Sequence, residues 1–201
     1  MRMWNGVAGV LLLAMAQGAA AGTVLILGDS ISAGFGLDTS AGWVALLQRR
    51  LAQQGEGDTV VNASVTGDTS ANAQARLPAL LTQYKPKLVV LELGGNDGLR
   101  GQPPMQLQQN LAQMIDASRA VGAKVLLLGM RLPPNYGARY TQAFAQVYGN
   151  LAQDKQVAWV PFMLEGVGGT PALMQADGIH PNQSAQGRLL DNVWPALQPL
   201  L

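Results

Sequence analysis

One serine in this chain stands where a nucleophile could be exposed at the end of a strand. Ser30 follows a short apolar run and lies in the segment GDSIS, residues 28–32. A serine at a turn from strand to helix can point its hydroxyl outward, while nearby backbone N–H groups face developing negative charge. Taken alone, the position is better explained by a serine that caps a helix. The nucleophile elbow G-x-S-x-G is absent, because Ser32 stands where its second glycine would be.

A serine hydroxyl is a weak nucleophile until a base removes its proton, and the chain has a single histidine, His180. Asp177 precedes it by three residues across a turn that contains Gly178, and Pro181 follows it directly. A carboxylate so close can hold one ring nitrogen and leave the other free for Ser30, which is the orienting arrangement of a catalytic triad. The alternative is that Asp177 only closes a local Asx-type turn.

Two other loops could supply hydrogen-bond donors for an oxyanion. Gly67 follows the second predicted strand, where a glycine permits close approach and offers its backbone N–H. Asn96 follows the third predicted strand and offers a side-chain amide. With the N–H of Ser30, these residues predict three converging donors from the ends of three different strands. Taken singly, Gly67 and Asn96 would be ordinary loop residues.

Four separate segments resemble the signature blocks of the SGNH, or GDSL, hydrolase family, in the family's order. They are GDSIS (28–32), NASVTGDTS (62–70), LGGNDGLRG (93–101) and DGIHPN (177–182). The chain is most similar to the family's bacterial periplasmic thioesterase I/lysophospholipase group and its arylesterase relatives. The resemblance implies Ser30, Asp177 and His180 as the catalytic triad, and Ser30, Gly67 and Asn96 as the oxyanion hole. It implies a small acyl ester or thioester as substrate, with neither a cofactor nor a metal.

Predicted strands and helices alternate along the chain. Three runs, Thr23–Leu27, Leu88–Leu93 and Lys124–Gly129, are almost continuously apolar, which predicts strands buried on both faces of a parallel sheet. Thr59–Asn62 and Val157–Val160 are shorter strand candidates. The pattern predicts a three-layer α/β/α sandwich of five parallel strands in the flavodoxin-like order 2-1-3-4-5. Ligands of such sheets bind beyond the carboxyl ends of the strands, where the four motifs lie.

Pro78 is expected to break or kink the helix predicted before the third strand, and Pro195 to bend or end the last predicted helix. Glu92 interrupts an apolar strand, and a structural hydrogen-bonding role is favoured over that of a third catalytic acid. Asp29 and Asp97, beside the predicted site residues, are interpreted as loop or cap residues.

Two segments are candidate walls of an acyl site, Gly98–Pro104 and Arg131–Tyr136. For Gly98–Pro104, the alternative is a plain connector.

The beginning of the chain predicts a cleaved signal peptide over residues 1–21, followed by one hydrolase domain over residues 22–201. Arg2 gives a positive start, Val7–Ala16 is apolar, and Ala19–Ala21 offers a small-residue cleavage site. The apolar run is shorter than the roughly 20 residues that span a bilayer. The absence of cysteine excludes a lipidated N-terminal cysteine. A periplasmic or secreted enzyme without a stable membrane anchor is therefore expected.

Composition excludes several other classes of function. The full chain carries 13 basic and 12 acidic residues, and Arg2 leaves with the leader. A neutral surface disfavours nucleic acid as a partner, and a monomer is the expected state. With no cysteine and one histidine, thiolate catalysis and a metal centre of several imidazoles are impossible. Two alternatives remain open here: a carbohydrate O-acetyl esterase, and a non-catalytic binding protein on a flavodoxin-like scaffold.

Overall fold

A five-stranded parallel sheet forms the centre of the molecule, in a computed structural model that describes residues 21–201. Its order, β2-β1-β3-β4-β5, confirms the predicted 2-1-3-4-5 topology. The strands are β1 (Thr23–Gly28), β2 (Thr59–Asn62), β3 (Leu88–Glu92), β4 (Lys124–Leu128) and β5 (Ala158–Val160). The predicted leader lies outside the described residues, apart from Ala21.

Seven α-helices surround the sheet within the described range. They are α1 (Ser30–Ala33), α2 (Trp43–Gln53), α3 (Ser70–Tyr84), α4 (Gly95–Leu99), α5 (Pro104–Ala120), α6 (Ala138–Lys155) and α7 (Gln186–Leu197). Helices α3, α5 and α6 pack side by side on one face, and α2 packs against α7 on the other. The result is the predicted three-layer α/β/α sandwich.

Burial of the sheet explains why its central strands are continuously apolar. Every residue of β3 is buried, and so are the four central residues of β1, Val24 to Leu27. Because helices cover both faces, side chains that alternate in direction along these strands all enter the core. Each apolar side chain buried in this way contributes about 1.5–3 kcal/mol relative to exposure. The sheet is therefore a rigid base for the loops at its carboxyl edge.

Pro78 does not break its helix, and the helix that contains Pro195 ends two residues after it. Pro78 lies within α3, which continues to Tyr84, and Pro195 lies in the last turn of α7. A proline removes one backbone hydrogen bond, but the buried face of α3, with Leu77 and Leu81, still holds the helix against the sheet.

The loops that carry the four sequence motifs meet at the carboxyl edge of the sheet. Ser30 follows β1 and Asn96 follows β3, and these strands are hydrogen-bonded neighbours with Gly28 opposite Glu92. Gly94 turns the chain from β3 into α4 with a φ of 116°, and a Cβ there would collide with the hydroxyl of Tyr148. Glycine is therefore required to bring Asn96 next to the loop that holds Ser30.

Candidate active site

Ser30 is the first residue of α1 and does not cap it. The cap is Asp29, whose carboxylate accepts a hydrogen bond of 3.1 Å from the N–H of Ile31. The backbone N–H of Ser30 has no acceptor within residues 21–201. Capping by Asp29 therefore leaves both the hydroxyl and the N–H of Ser30 available to a ligand.

His180 joins Ser30 to Asp177 in one line of contacts. Its Nε2 lies 2.8 Å from Oγ of Ser30, and its Nδ1 lies 2.7 Å from Oδ2 of Asp177. The serine and the imidazole are 150 residues apart in the chain. The structure thus brings together the three residues that the sequence predicts as a triad, with each nitrogen of the ring facing a different partner.

Asp177 also closes the local turn that was considered as its alternative role. Its Oδ1 accepts hydrogen bonds from the N–H groups of Ile179 and His180, at 2.9 and 3.0 Å. These bonds to the backbone and side chain of His180, with that to Ile179, lower the pKa of Asp177 to about 2. The carboxylate is therefore ionised at neutral pH, and one oxygen builds the loop while the other holds the ring.

The His180 loop is fixed to its surroundings by backbone contacts and by an aromatic ring. The N–H of Gln175 donates to the carbonyl of His180 at 2.7 Å, next to an isolated antiparallel bridge between Met174 and Pro181. The ring of Phe35 packs on the imidazole with 4.5 Å between centroids. Nothing in the spacing of Phe35 pointed to this contact, because it depends on the turn after α1.

The residues proposed as oxyanion donors differ in whether their N–H groups already have hydrogen-bond acceptors. The N–H of Gly67 has no acceptor in the described part of the chain. Gly67 has a φ of 84°, and an added Cβ would meet no atom within 4 Å, so the torsion rather than crowding calls for glycine. The Nδ2 of Asn96, by contrast, donates to Oδ2 of Asp29 at 3.2 Å and to the carbonyl of Asp68 at 3.0 Å.

Two arginines that the sequence reasoning missed hold the Gly67 loop in place. Arg76 donates to the carboxylate of Asp68 and, at 3.0 Å, to the carbonyl of Ala63. Arg100 donates to the carbonyl of Gly67 at 3.0 Å. Arg76 is the one charged residue in the sequence of α3. A single charged residue in an otherwise uncharged helix was the sequence signal that Arg76 has a specific partner.

Glu92 has the structural role that was favoured for it. Its side chain is fully buried, and Oε2 accepts from Oγ of Ser32 at 2.7 Å, from the N–H of Ser32 at 3.2 Å and from the N–H of Asp29 at 3.3 Å. Burial raises the pKa of Glu92 well above its usual value, and the charge of Asp29 raises it further. Glu92 therefore anchors the turn that presents Ser30, from beneath.

The other two flanking carboxyl groups have different roles. Asp97 lies within α4, is buried, and accepts from the N–H of Ser70 at 2.8 Å, which ties α4 to the first residue of α3. Asp29 is also buried, and burial raises its pKa to about 6 against the opposing effect of the hydrogen bond from Ile31. Both were interpreted as loop or cap residues; Asp29 is the N-cap of α1, whereas Asp97 lies inside a helix, and the contact between Asp29 and Asn96 was not foreseen.

An apolar cavity of about 570 Å³ opens beside Ser30, Asn96 and His180. Residues from the loops after β1, β3, β4 and β5 line it. The apolar ones are Ile31, Leu99, Met130, Leu132, Pro133, Pro134, Phe162, Leu164, Met174 and Ile179. Of the two predicted walls, the stretch from Arg131 to Pro134 lines the cavity, whereas Gly98–Pro104 contributes only Leu99.

Comparison with known proteins identifies the chain's relatives. Residues 26–188 match the model of the GDSL-like lipase/acylhydrolase family. The chain belongs to this family. It is 66% identical over 190 residues to "Esterase TesA" of Pseudomonas aeruginosa, covering 94% of each protein. It is 49% identical over 191 residues to "Thioesterase 1/protease 1/lysophospholipase L1" of Escherichia coli K12, covering 95% of this chain and 90% of the relative.

A solved structure agrees with this membership. The crystal structure of TesA superposes with a TM-score of 0.87 and 67% identity, covering 89% of this chain and 99% of the other. As a member of the GDSL-like family, the protein is a serine ester hydrolase, and the alternative of a non-catalytic binding protein is excluded. Within residues 21–201, no cluster of potential ligand side chains is arranged for a metal ion, and no helix is long and apolar enough to cross a membrane.

Proposed function

We propose that this enzyme hydrolyses carboxylic esters and thioesters of apolar acyl chains through an acyl-enzyme formed on Ser30. The proposal rests on one observation, the contacts that run from Asp177 through His180 to Ser30 at 2.7 and 2.8 Å. Both distances are within hydrogen-bonding range, as a nucleophile and its general base require. No cofactor or metal takes part in the proposed reaction.

In the proposed acylation step, Oγ of Ser30 attacks the carbonyl carbon while Nε2 of His180 takes its proton. Asp177 keeps the other ring proton on Nδ1 and stabilises the imidazolium that forms. The carbonyl oxygen becomes an oxyanion and collapses back, the bond to the alcohol or thiol breaks, and His180 returns the proton to that leaving group. Water then attacks the acyl-enzyme by the same route, with His180 as base, and releases the carboxylic acid.

The proposed oxyanion hole combines the backbone N–H groups of Ser30 and Gly67 with the side-chain amide of Asn96. The two N–H groups are free of acceptors within the described residues, so they need break no bond to receive the charge. One donor of this kind typically contributes about 2.7–4 kcal/mol to stabilisation of the transition state. With all three donors, the proposed position of the substrate's carbonyl oxygen is the side of Ser30 that faces Asn96.

The acyl chain is proposed to occupy the apolar cavity, along the carboxyl edge of the sheet. Ser30, which follows β1, and Phe162, which follows β5, both line the cavity, and the strand order implies that they lie toward its opposite ends. Three strand spacings separate β1 from β5, roughly 14 Å. A chain of many carbons fits this length, and each buried methylene contributes about 0.8 kcal/mol. The cavity therefore favours medium and long acyl groups over the acetyl group of a carbohydrate O-acetyl ester.

A series of p-nitrophenyl esters and matched thioesters tests this function directly. We expect kcat/KM to rise from acetyl to medium chains and then to level off. Phe162→Ala removes apolar surface at the far end of the cavity, so kcat/KM for a dodecanoyl ester should fall about tenfold, while the butanoyl ester changes less than about twofold. Phe162→Leu, which keeps an apolar side chain, is the matched control. Equal loss on both esters, or highest activity on acetyl, would contradict the acyl assignment.

We further propose that the enzyme is exported and that residues 1–21 are removed as a signal peptide. Gly22, the first residue after the proposed cleavage site, is already part of the fold, since its N–H donates to the buried carboxylate of Asp58 at 2.7 Å. The intact mass of the protein purified from the periplasm of an expressing bacterium should equal that of residues 22–201. A full-length mass in the cytoplasm would contradict export.

A further inference from the structure

Asp29 connects two parts of the candidate oxyanion hole through its two carboxylate oxygens. Oδ1 accepts from the N–H of Ile31, which caps α1 behind Ser30, and Oδ2 accepts from Nδ2 of Asn96. Asp29 has 2% of its surface exposed, so water competes little for either oxygen. One buried carboxylate therefore touches both the loop of the nucleophile and the side chain of the third proposed donor.

The orientation of the Asn96 amide depends on this contact. An amide presents two N–H donors on one side and an acceptor oxygen on the other, and can turn over by half a rotation. The two partners of Nδ2 are the carboxylate of Asp29 and the carbonyl of Asp68, and both accept hydrogen bonds. If the amide turned over, its oxygen would face two acceptors, and no N–H would remain on that side.

We propose that Asp29 is a positioning residue, which keeps the NH₂ group of the Asn96 amide, rather than its oxygen, on the side of the oxyanion hole. Both hydrogens of Nδ2 are donated, to Asp29 and to Asp68, so the oxyanion of the substrate would share one of them with its present acceptor. This inference rests on the proposed function, because it assigns a partner to one of the oxyanion donors. Within the described residues, the carboxylate of Asp29 makes no hydrogen bond to Oγ of Ser30 or to His180, so its effect on turnover is assigned to its contact with Asn96. The backbone bond from its own N–H to Glu92 fixes its position from beneath.

Asp29→Asn separates positioning from capping, because asparagine is as good an N-cap as aspartate. Its side-chain oxygen can still accept from Ile31, but its NH₂ group then faces Nδ2 of Asn96, donor against donor. The Asn96 amide is expected to turn over to relieve this, which removes its N–H from the oxyanion. We expect kcat for a p-nitrophenyl butanoyl ester to fall about 10–100-fold, with KM within about twofold of wild type.

A double-mutant cycle distinguishes positioning from a general structural effect. Asn96→Ala alone should lower kcat by about 10²–10³-fold. If Asp29 acts through Asn96, adding Asp29→Asn to Asn96→Ala should lower kcat by no more than about twofold further. A purely structural role would instead multiply the two losses. Should Asp29→Asn fail to fold, Asp29→Ser carries the same cycle, because serine also caps the helix and cannot reach Asn96.

The possible outcomes separate this inference from the proposed function. Wild-type kcat in Asp29→Asn, together with a large loss in Asn96→Ala, would overturn the positioning role and leave the oxyanion assignment standing. Independent, multiplied losses would overturn it as well. Wild-type kcat in Asn96→Ala would remove Asn96 from the proposed oxyanion hole, and the inference about Asp29 would fail with it. Coupled losses with an unchanged midpoint of thermal unfolding would support the proposal.

Discussion

Ser30→Ala is expected to lower kcat for a p-nitrophenyl acyl ester by roughly 10⁶-fold, to the level supported by binding and the oxyanion donors alone. Without Oγ, the substrate carbonyl has no nucleophile, and Nε2 of His180 loses the hydroxyl that lies 2.8 Å away. The fold should persist, because Asp29 rather than Ser30 caps α1. Far-UV circular dichroism and the midpoint of thermal unfolding check that expectation.

A fluorophosphonate probe gives an independent reading of the same variant. The wild-type protein should take up about one equivalent of probe on the peptide that contains Ser30, and Ser30→Ala should take up none, because only a serine activated by a base reacts. Ser40→Ala is the matched control: Ser40 is exposed ten residues later, and its hydrogen bonds within residues 21–201 are to Asp38 and Arg49. Turnover near the wild-type rate in Ser30→Ala would refute the nucleophile assignment.

Asp177→Asn should lower kcat by about 10⁴-fold while leaving the loop intact. The asparagine oxygen can keep both backbone bonds, from Ile179 and His180, that now converge on Oδ1. Its NH₂ group, however, faces Nδ1 of the imidazole and forces the ring proton onto Nε2. That nitrogen then points a hydrogen at Ser30 and is unable to accept one.

Asp191→Asn is the control for the loss of one carboxylate charge in Asp177→Asn. Asp191 pairs with Arg50 on the surface, and its side chain is 61% exposed. Because exposed pairs contribute about 0–1 kcal/mol, Asp191→Asn should keep wild-type kcat and nearly wild-type stability. Since the pKa of Asp177 is lowered to about 2, the wild-type carboxylate stays ionised across the assay range, and the comparison is valid from pH 6 to 9. Equal activity of the two variants would remove Asp177 from the proposed mechanism.

The serine is supported by buried polar groups rather than by a packed apolar turn. Glu92 and Asp29 lie beneath it, and burial raises the pKa of both. Oε1 of Glu92 is buried without a hydrogen-bond partner in the described residues, which costs about 1–3 kcal/mol. Such groups destabilise the fold but fix the direction of the backbone at the nucleophile. Strain or burial of this kind is expected at functional sites, where rigidity of a few atoms matters more than stability.

The fold could be predicted in detail because its signals are local. Thr59–Asn62 was predicted residue by residue, and the other strands differ by at most one residue at either end. Apolar runs buried on both faces leave little choice but a covered parallel sheet. Pro78 was expected to break or kink α3, and it does not break the helix, because the packing of Leu77 and Leu81 in the core outweighs one lost hydrogen bond.

The sequence by itself determined which functional groups the site contains. It also determined the contact between Asp177 and His180, which is local in the chain. Asp177 and His180 are three residues apart, so the turn alone brings their side chains together. Their contact with Ser30 spans 150 residues and depends on which strand ends are neighbours. Only the tertiary structure decided this, as it decided which acceptors hold the amide of Asn96. A spacing in sequence specifies distances across one turn, whereas the orientation of a side chain in a buried network depends on every element packed around it.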